Sequence, residues 1–87
     1  MISMNTKQLW KTCLGEIEIG LSKANFSTWF KNTSILKEDM GIIQIGVPNE
    51  FVRDWLMHKY HKLITKTIAD AYESMRAVEY IITKIEV

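Results

Sequence analysis

Residues 42–55 read Ile-Ile-Gln-Ile-Gly-Val-Pro-Asn-Glu-Phe-Val-Arg-Asp-Trp, and they switch repeat in the middle. The first six are rich in β-branched side chains and alternate, which is the pattern of a half-buried strand. Pro48, the only proline in the chain, stops that strand because it cannot donate to a ladder. Asn49 is a good helix N-cap, and Glu50 puts a negative charge in the first turn, where the helix dipole favours one. From Val52 onward the apolar residues recur at helical spacing. A chain with this junction must combine strand and helix around one core.

The same signals assign the remaining elements. Asn5 caps a helix, with Gln8 three residues on completing a capping-box pattern. Trp10, Cys13, Leu14, Ile17 and Leu21 then repeat at helical spacing, and Gly20 marks the end of helix one, at about residues 6–20. Ser22 caps a short second helix, from residue 23 to about residue 31, with Phe26, Trp29 and Phe30 on one narrow face. The brief link between them makes a helical hairpin. Residues 33–37 read as a strand, 38–41 as a turn with Gly41 available for positive φ, and 42–47 as the second strand of a hairpin. Helical periodicity extends to about residue 72, either as one long helix or as two with a break near residues 58–62. Residues 77–87 fit a final strand, and residues 1–4 read as frayed. The order is α-α-β-β-α(α)-β, so the expected class is α+β with a small three-stranded sheet.

With 87 residues, the chain makes one domain that buries roughly 60–65% of its unfolded surface. The core is thin. A formal net charge of +1 argues against a strongly electrostatic nucleic-acid binder. A single cysteine, Cys13, excludes an intramolecular disulfide or a thiolate metal site within one chain. No apolar run approaches the ~20 residues needed to cross a bilayer, and the first ten residues lack a signal-peptide core. The expected location is the cytoplasm, with no membrane partner.

Catalytic patterns are not visible. Glycine-rich phosphate loops are missing. His58 and His61 stand three apart without a nearby cysteine and read as solvated. Cys13 lies on an apolar stripe, as a small core residue does. Glu38 and Asp39 fall in the expected turn and read as solvated carboxylates. The reading is therefore a non-enzyme without catalytic residues, cofactor or metal.

Phe51 is the open question. On a wheel of about 100° per residue with Phe51 at the origin, Val52, Lys59, Leu56 and Leu63 cluster between about 80° and 140° as the core stripe, with Trp55 near 40°. Asp54, His58 and Lys62 flank Phe51 on its other side, within about 60°. Phe51 thus sits at the edge of a polar face. It is either covered by the loop at Val47 and Pro48 or displayed as an interaction hot spot. Arg53, Lys59, Lys62 and Lys66 read as a solvated face. The alternative is a weak single-strand-binding surface with Phe51 and Tyr60 as stacking platforms.

Taken together, Leu9-Trp10, the Phe26-x-x-Trp29 of the second helix and the block Pro48-Asn49-x-Phe51-x-x-x-Trp55 with its trailing Tyr60 resemble the N-terminal domain family of bacterial DnaA, the chromosomal replication initiator. The likeness runs from about residue 7 to residue 85. It implies an α-α-β-β-α-β fold related in shape to KH domains, and an interaction module. Such a module self-associates, helps recruit the DnaB-type replicative helicase to the origin, and binds initiation regulators. The resemblance assigns Trp10 to self-association, Asn25 and Phe51 to the helicase, and Asn49, Trp29 and Phe51 to regulators. It also favours display for Phe51.

Two departures stand out. Some relatives carry an acid where this chain has Asn25. The GxxG loop by which KH domains clamp nucleic acid is missing, so any single-strand contact through Arg53, Lys59 and Lys62 is expected to be weak and salt-sensitive. Trp10 faces the core stripe by spacing and a dimer contact by resemblance. Both hold if it is half covered at the rim. Trp55 is expected in the core, and Trp29 mostly so, with one edge exposed beside Phe51.

Overall fold

The computed structural model describes residues 5–83. The expectations for residues 1–4, and for the last four residues of the final strand, lie outside that range.

Helix α1 (Thr6–Ile19) starts where Asn5 Oδ1 accepts a hydrogen bond from the Gln8 amide at 3.0 Å. Its inward face is Leu9, Trp10, Cys13 and Ile17. Helix α2 (Lys23–Phe30) is capped in the same way by Ser22, whose Oγ accepts from the Asn25 amide at 3.2 Å. Short polar side chains before each apolar run satisfy amides that would otherwise lack partners. Strands β1 (Ser34–Asp39) and β2 (Ile42–Val47) follow as an antiparallel hairpin. A helical column then crosses the sheet as α3 (Glu50–Trp55), a π-helical turn (Leu56–Tyr60) and α4 (His61–Ala71), and returns to β3 (Ala77–Ile82). β3 pairs parallel with β2, which a crossover helix permits and a tight hairpin does not. The sheet order is β1-β2-β3. This is the expected α+β architecture, with a mixed three-stranded sheet.

Strand alternation divides the sheet. Ile43, Ile45 and Val47 are fully buried and, with Ile35, form the sheet's contribution to the core. α1 and the column cover them with Ile17, Phe30, Leu56, Ile64 and Ile68.

The hairpin turn is tighter than expected. β1 continues through Glu38 and Asp39, leaving Met40 (φ 52°) and Gly41 (φ 89°) as the two turn residues. Two positive φ angles match the twist of the flanking strands. A side chain at Gly41 would meet the Ser74 carbonyl oxygen at 2.5 Å, so glycine is required there on two counts. Glu38 is thus not a free turn carboxylate. Its Oε2 accepts from the Gly41 amide and from the Tyr72 hydroxyl, both at 2.9 Å, tying the hairpin tip to the end of α4. That hydrogen bond, with burial and the Glu38 charge adding to it, holds the Tyr72 pKa above its ordinary value.

The column neither runs as one regular helix nor breaks in two. Its buried residues are Val52, Leu56, Tyr60, Ile64 and Ile68, each four apart. In a pure α-helix a spacing of four drifts by about 40° per step, so this stripe would leave the core within a few turns. The π turn adds roughly one residue to a turn and rotates the stripe back. It also explains why Tyr60, opposite Phe51 on a regular wheel, is only 6% exposed, and why Ile64 is fully buried while Leu63 is only partly so.

Candidate protein-interaction surface

Asn49 sets the geometry. Its Oδ1 accepts from the Val52 amide at 2.8 Å and starts α3 immediately after the strand. Val52 then turns into the core, which leaves Phe51, one residue earlier, at 71% exposure. The loop at Val47 and Pro48 does not cover it.

Phe51 is not isolated. Its ring lies 5.5 Å from that of Trp29, tilted by 48°, and Trp29 stacks on Trp55 at 4.9 Å and 19°. Lys59 Nζ caps the row, 5.3 Å from the centre of the Trp55 ring. Offset and tilted aromatic pairs of this kind hold one another in place, and a cation over an indole adds to that. The result is a rigid ridge of three rings between α2 and α3. Asn25 is exposed on α2, one turn before Trp29, and Asn49 is exposed at the start of α3. The Phe51–Trp29 pairing brings the two helices' expected contact residues to one side of the molecule.

Two expectations need correction. Trp55 is a surface residue at 38% exposure, not a core one. It lies between the core stripe and Phe51 on the helix, and α2 supplies only the face of Trp29 to cover it. Spacing had already placed Trp55 near Phe51, so its membership of the ridge was legible and was missed. Trp10 is not half covered but 3% exposed. Its Nε1–H donates to Thr33 Oγ1 at 3.1 Å, and the Thr33 hydroxyl donates to the Phe30 carbonyl at 2.6 Å. This chain of bonds seats the indole inside the core.

The basic set divides as well. Arg53 is engaged by Asp54 at 3.0 Å and Glu50 at 3.7 Å. Tyr60 packs edge-on against Phe30 at 5.5 Å and offers no stacking platform. Lys62 and Lys66 are exposed. The histidines do not converge: His58 Nδ1 lies 2.7 Å from the Asp54 carbonyl, and His61 Nδ1 lies 2.9 Å from the Tyr80 hydroxyl. No cluster of His, Cys, Asp or Glu that could hold a metal occurs among the described residues. The Cys13 thiol is fully buried, and burial, with Glu16 adding to it, pushes its pKa up to about 11. Among the described residues no helix is long and apolar enough to cross a membrane.

The family model of the DnaA N-terminal domain matches residues 7–70, most of the chain. On that match, the chain belongs to the DnaA N-terminal domain family, a family of replication initiators.

Proposed function

We propose that this domain works in the cytoplasm as a protein-interaction module, not a catalyst, in the initiation of chromosomal replication. On this reading it uses the Trp29–Phe51–Trp55 ridge, with Asn25 and Asn49 at its margins, to hold the replicative helicase and initiation regulators. The observation that carries the reading is Phe51 at 71% exposure, braced on Trp29. A braced ring supplies apolar area with little entropy left to lose on binding, which is how aromatic hot spots act. Self-association of the domain belongs to the same proposal. Trp10 supports it from beneath, by seating α1, since its own ring is enclosed. The test is titration of the domain with the helicase and with a regulator. Phe51→Ala should weaken binding by tenfold or more, on the order of 2 kcal/mol for a hot spot, while the fold stays intact. An unchanged affinity would remove the ridge from the mechanism.

A second reading, weak contact with single-stranded origin DNA, draws on Lys59 beside the partly exposed Trp55 ring. Lys62 extends that surface. Arg53 weakens it, because two carboxylates already hold its guanidinium. Titration with labelled single strands across salt concentrations separates the two readings. Binding that is undetectable at low salt would end the second.

A further inference from the structure

β3 is an edge strand, and its outer side has no strand partner among the described residues. The Ala77 and Thr83 amides donate inward to the Gly41 and Val47 carbonyls at 3.4 and 2.8 Å. Alternation along the strand therefore turns the N–H and C=O groups of Val78, Tyr80 and Ile82 outward. Edges are normally blunted by bulges, prolines or lysines. β1, the opposite edge, has a bulge between Ile35 and Lys37. β3 pairs regularly with β2 over its whole length and carries neither proline nor lysine.

Beside this open edge lies a groove of about 520 Å³ between β3 and the helical column. Met57, Val78 and Tyr80 give it apolar walls, and Arg53, Asp54, His61 and Glu79 complete it. Met57 is 47% exposed although nothing polar requires it there. The hydrogen bond between the Tyr80 hydroxyl and His61 Nδ1 fixes the Tyr80 ring across the groove, and burial holds that hydroxyl's pKa above its ordinary value. Within the groove Arg53 is matched by Asp54, with Glu50 beside them. The exposed Glu79 side chain alternates to the opposite face of the sheet from Val78 and Tyr80, where it accepts from Gln44 Nε2 at 3.3 Å. Among the described residues no lysine lines the groove.

We propose that the β3 edge and this groove form a second docking site, for an extended segment of a partner protein that alternates basic and aliphatic residues and adds to the sheet as a fourth strand. Its backbone pairs with Val78, Tyr80 and Ile82. One aliphatic side chain enters the groove against Met57 and Val78, and the next residue, a cation on the opposite face of the sheet, meets Glu79. A second copy fits less well, because β3 contains no cation to answer Glu79. Single-stranded nucleic acid is opposed by the exposed Glu79 carboxylate, with Arg53 already matched by Asp54. Asp54 lies between this groove and Phe51, but the β3 edge, Met57 and Glu79 take no part in the aromatic ridge, so the site stands or falls separately from the function proposed above.

The experiment is a two-dimensional amide NMR titration of the domain with a capped heptapeptide of alternating lysine and leucine. A glutamate–leucine counterpart serves as control. The Val78, Tyr80 and Ile82 amides should shift and exchange more slowly with the basic peptide alone. Glu79→Lys should weaken binding by about fivefold, since like charges then stand opposite each other across the strand pair. Val78→Pro removes one outward donor without costing an inward ladder bond, and should also weaken it. Phe51→Ala should leave the affinity within about twofold, as expected of an independent site. Circular dichroism confirms that each variant is folded. Four results overturn the proposal: shifts confined to Trp29, Phe51 and Trp55; equal binding of the acidic peptide; the same shifts with an oligothymidine; or concentration-dependent protection of the three amides without peptide, which would make the occupant a second copy.

Discussion

Two aromatic clusters in this small domain have opposite fates. Around Trp10 the rings turn inward. The indole N–H reaches Thr33, Thr33 reaches the Phe30 carbonyl, and Phe30 meets the edge of Tyr60. Around Trp29 the rings turn outward and stack on one another, with a lysine closing the row. Residue type does not distinguish the clusters, since each contains tryptophan and phenylalanine. What differs is cover. The inner set is enclosed by α1, α2, β1 and the column, whereas the outer set lies along the seam of α2 and α3, and no third element among the described residues covers it. The first cluster holds the fold, and the second is free to hold something else.

That contrast can be broken by substitution. Trp10→Ala should cost the most, about 3–5 kcal/mol for a buried indole, read by chemical denaturation. A loss below about 1 kcal/mol would mean that the inner cluster is not structural. Thr33→Val keeps the shape but orphans the Trp10 N–H, at about 1–3 kcal/mol. A comparable effect is expected from alkali. Cys13 sits on the same inner stripe, and its pKa rises from 9.0 to about 11 on folding. The folded state therefore holds that proton more tightly. Its contribution is complete below pH 9 and is lost as pH climbs from 9 towards 11. Thermal melts should fall across this window, and fall less in Cys13→Ala. A flat wild-type profile would contradict the buried thiol.

Smaller effects sharpen the outer side. Asn49→Ala removes the α3 cap and should cost about 1 kcal/mol, and by loosening the start of that helix should also blunt binding at Phe51. Phe51→Ala should change stability by only about 0.5 kcal/mol, as surface substitutions do, while reducing partner affinity. A large loss of stability would place Phe51 with the inner cluster after all.

Much of this was legible in the residues themselves. Asn5, Ser22 and Asn49 cap helices where short polar side chains before apolar runs predict caps. Pro48 ends β2, and Gly41 takes the positive φ that its turn needs. These are local effects, decided within a few residues, and the alternation of 42–47 fixed which side of β2 is buried. The family pattern in Leu9-Trp10, Phe26-x-x-Trp29 and the Pro48–Trp55 block was equally readable.

The rest required the packed molecule. A stripe of residues four apart gives no sign in sequence of whether a helix breaks or takes a π turn, because that choice balances strain in one turn against burial of Tyr60, Ile64 and Ile68. The exposure of Trp55 and the enclosure of Trp10 were decided by which neighbours cover them. Cover comes from residues distant in the chain, such as Thr33 for Trp10 and Trp29 for Trp55. Caps and strand alternation are set by nearby bonds, so the sequence determined them alone. Burial is a property of the assembled surface, and only the tertiary structure could settle it.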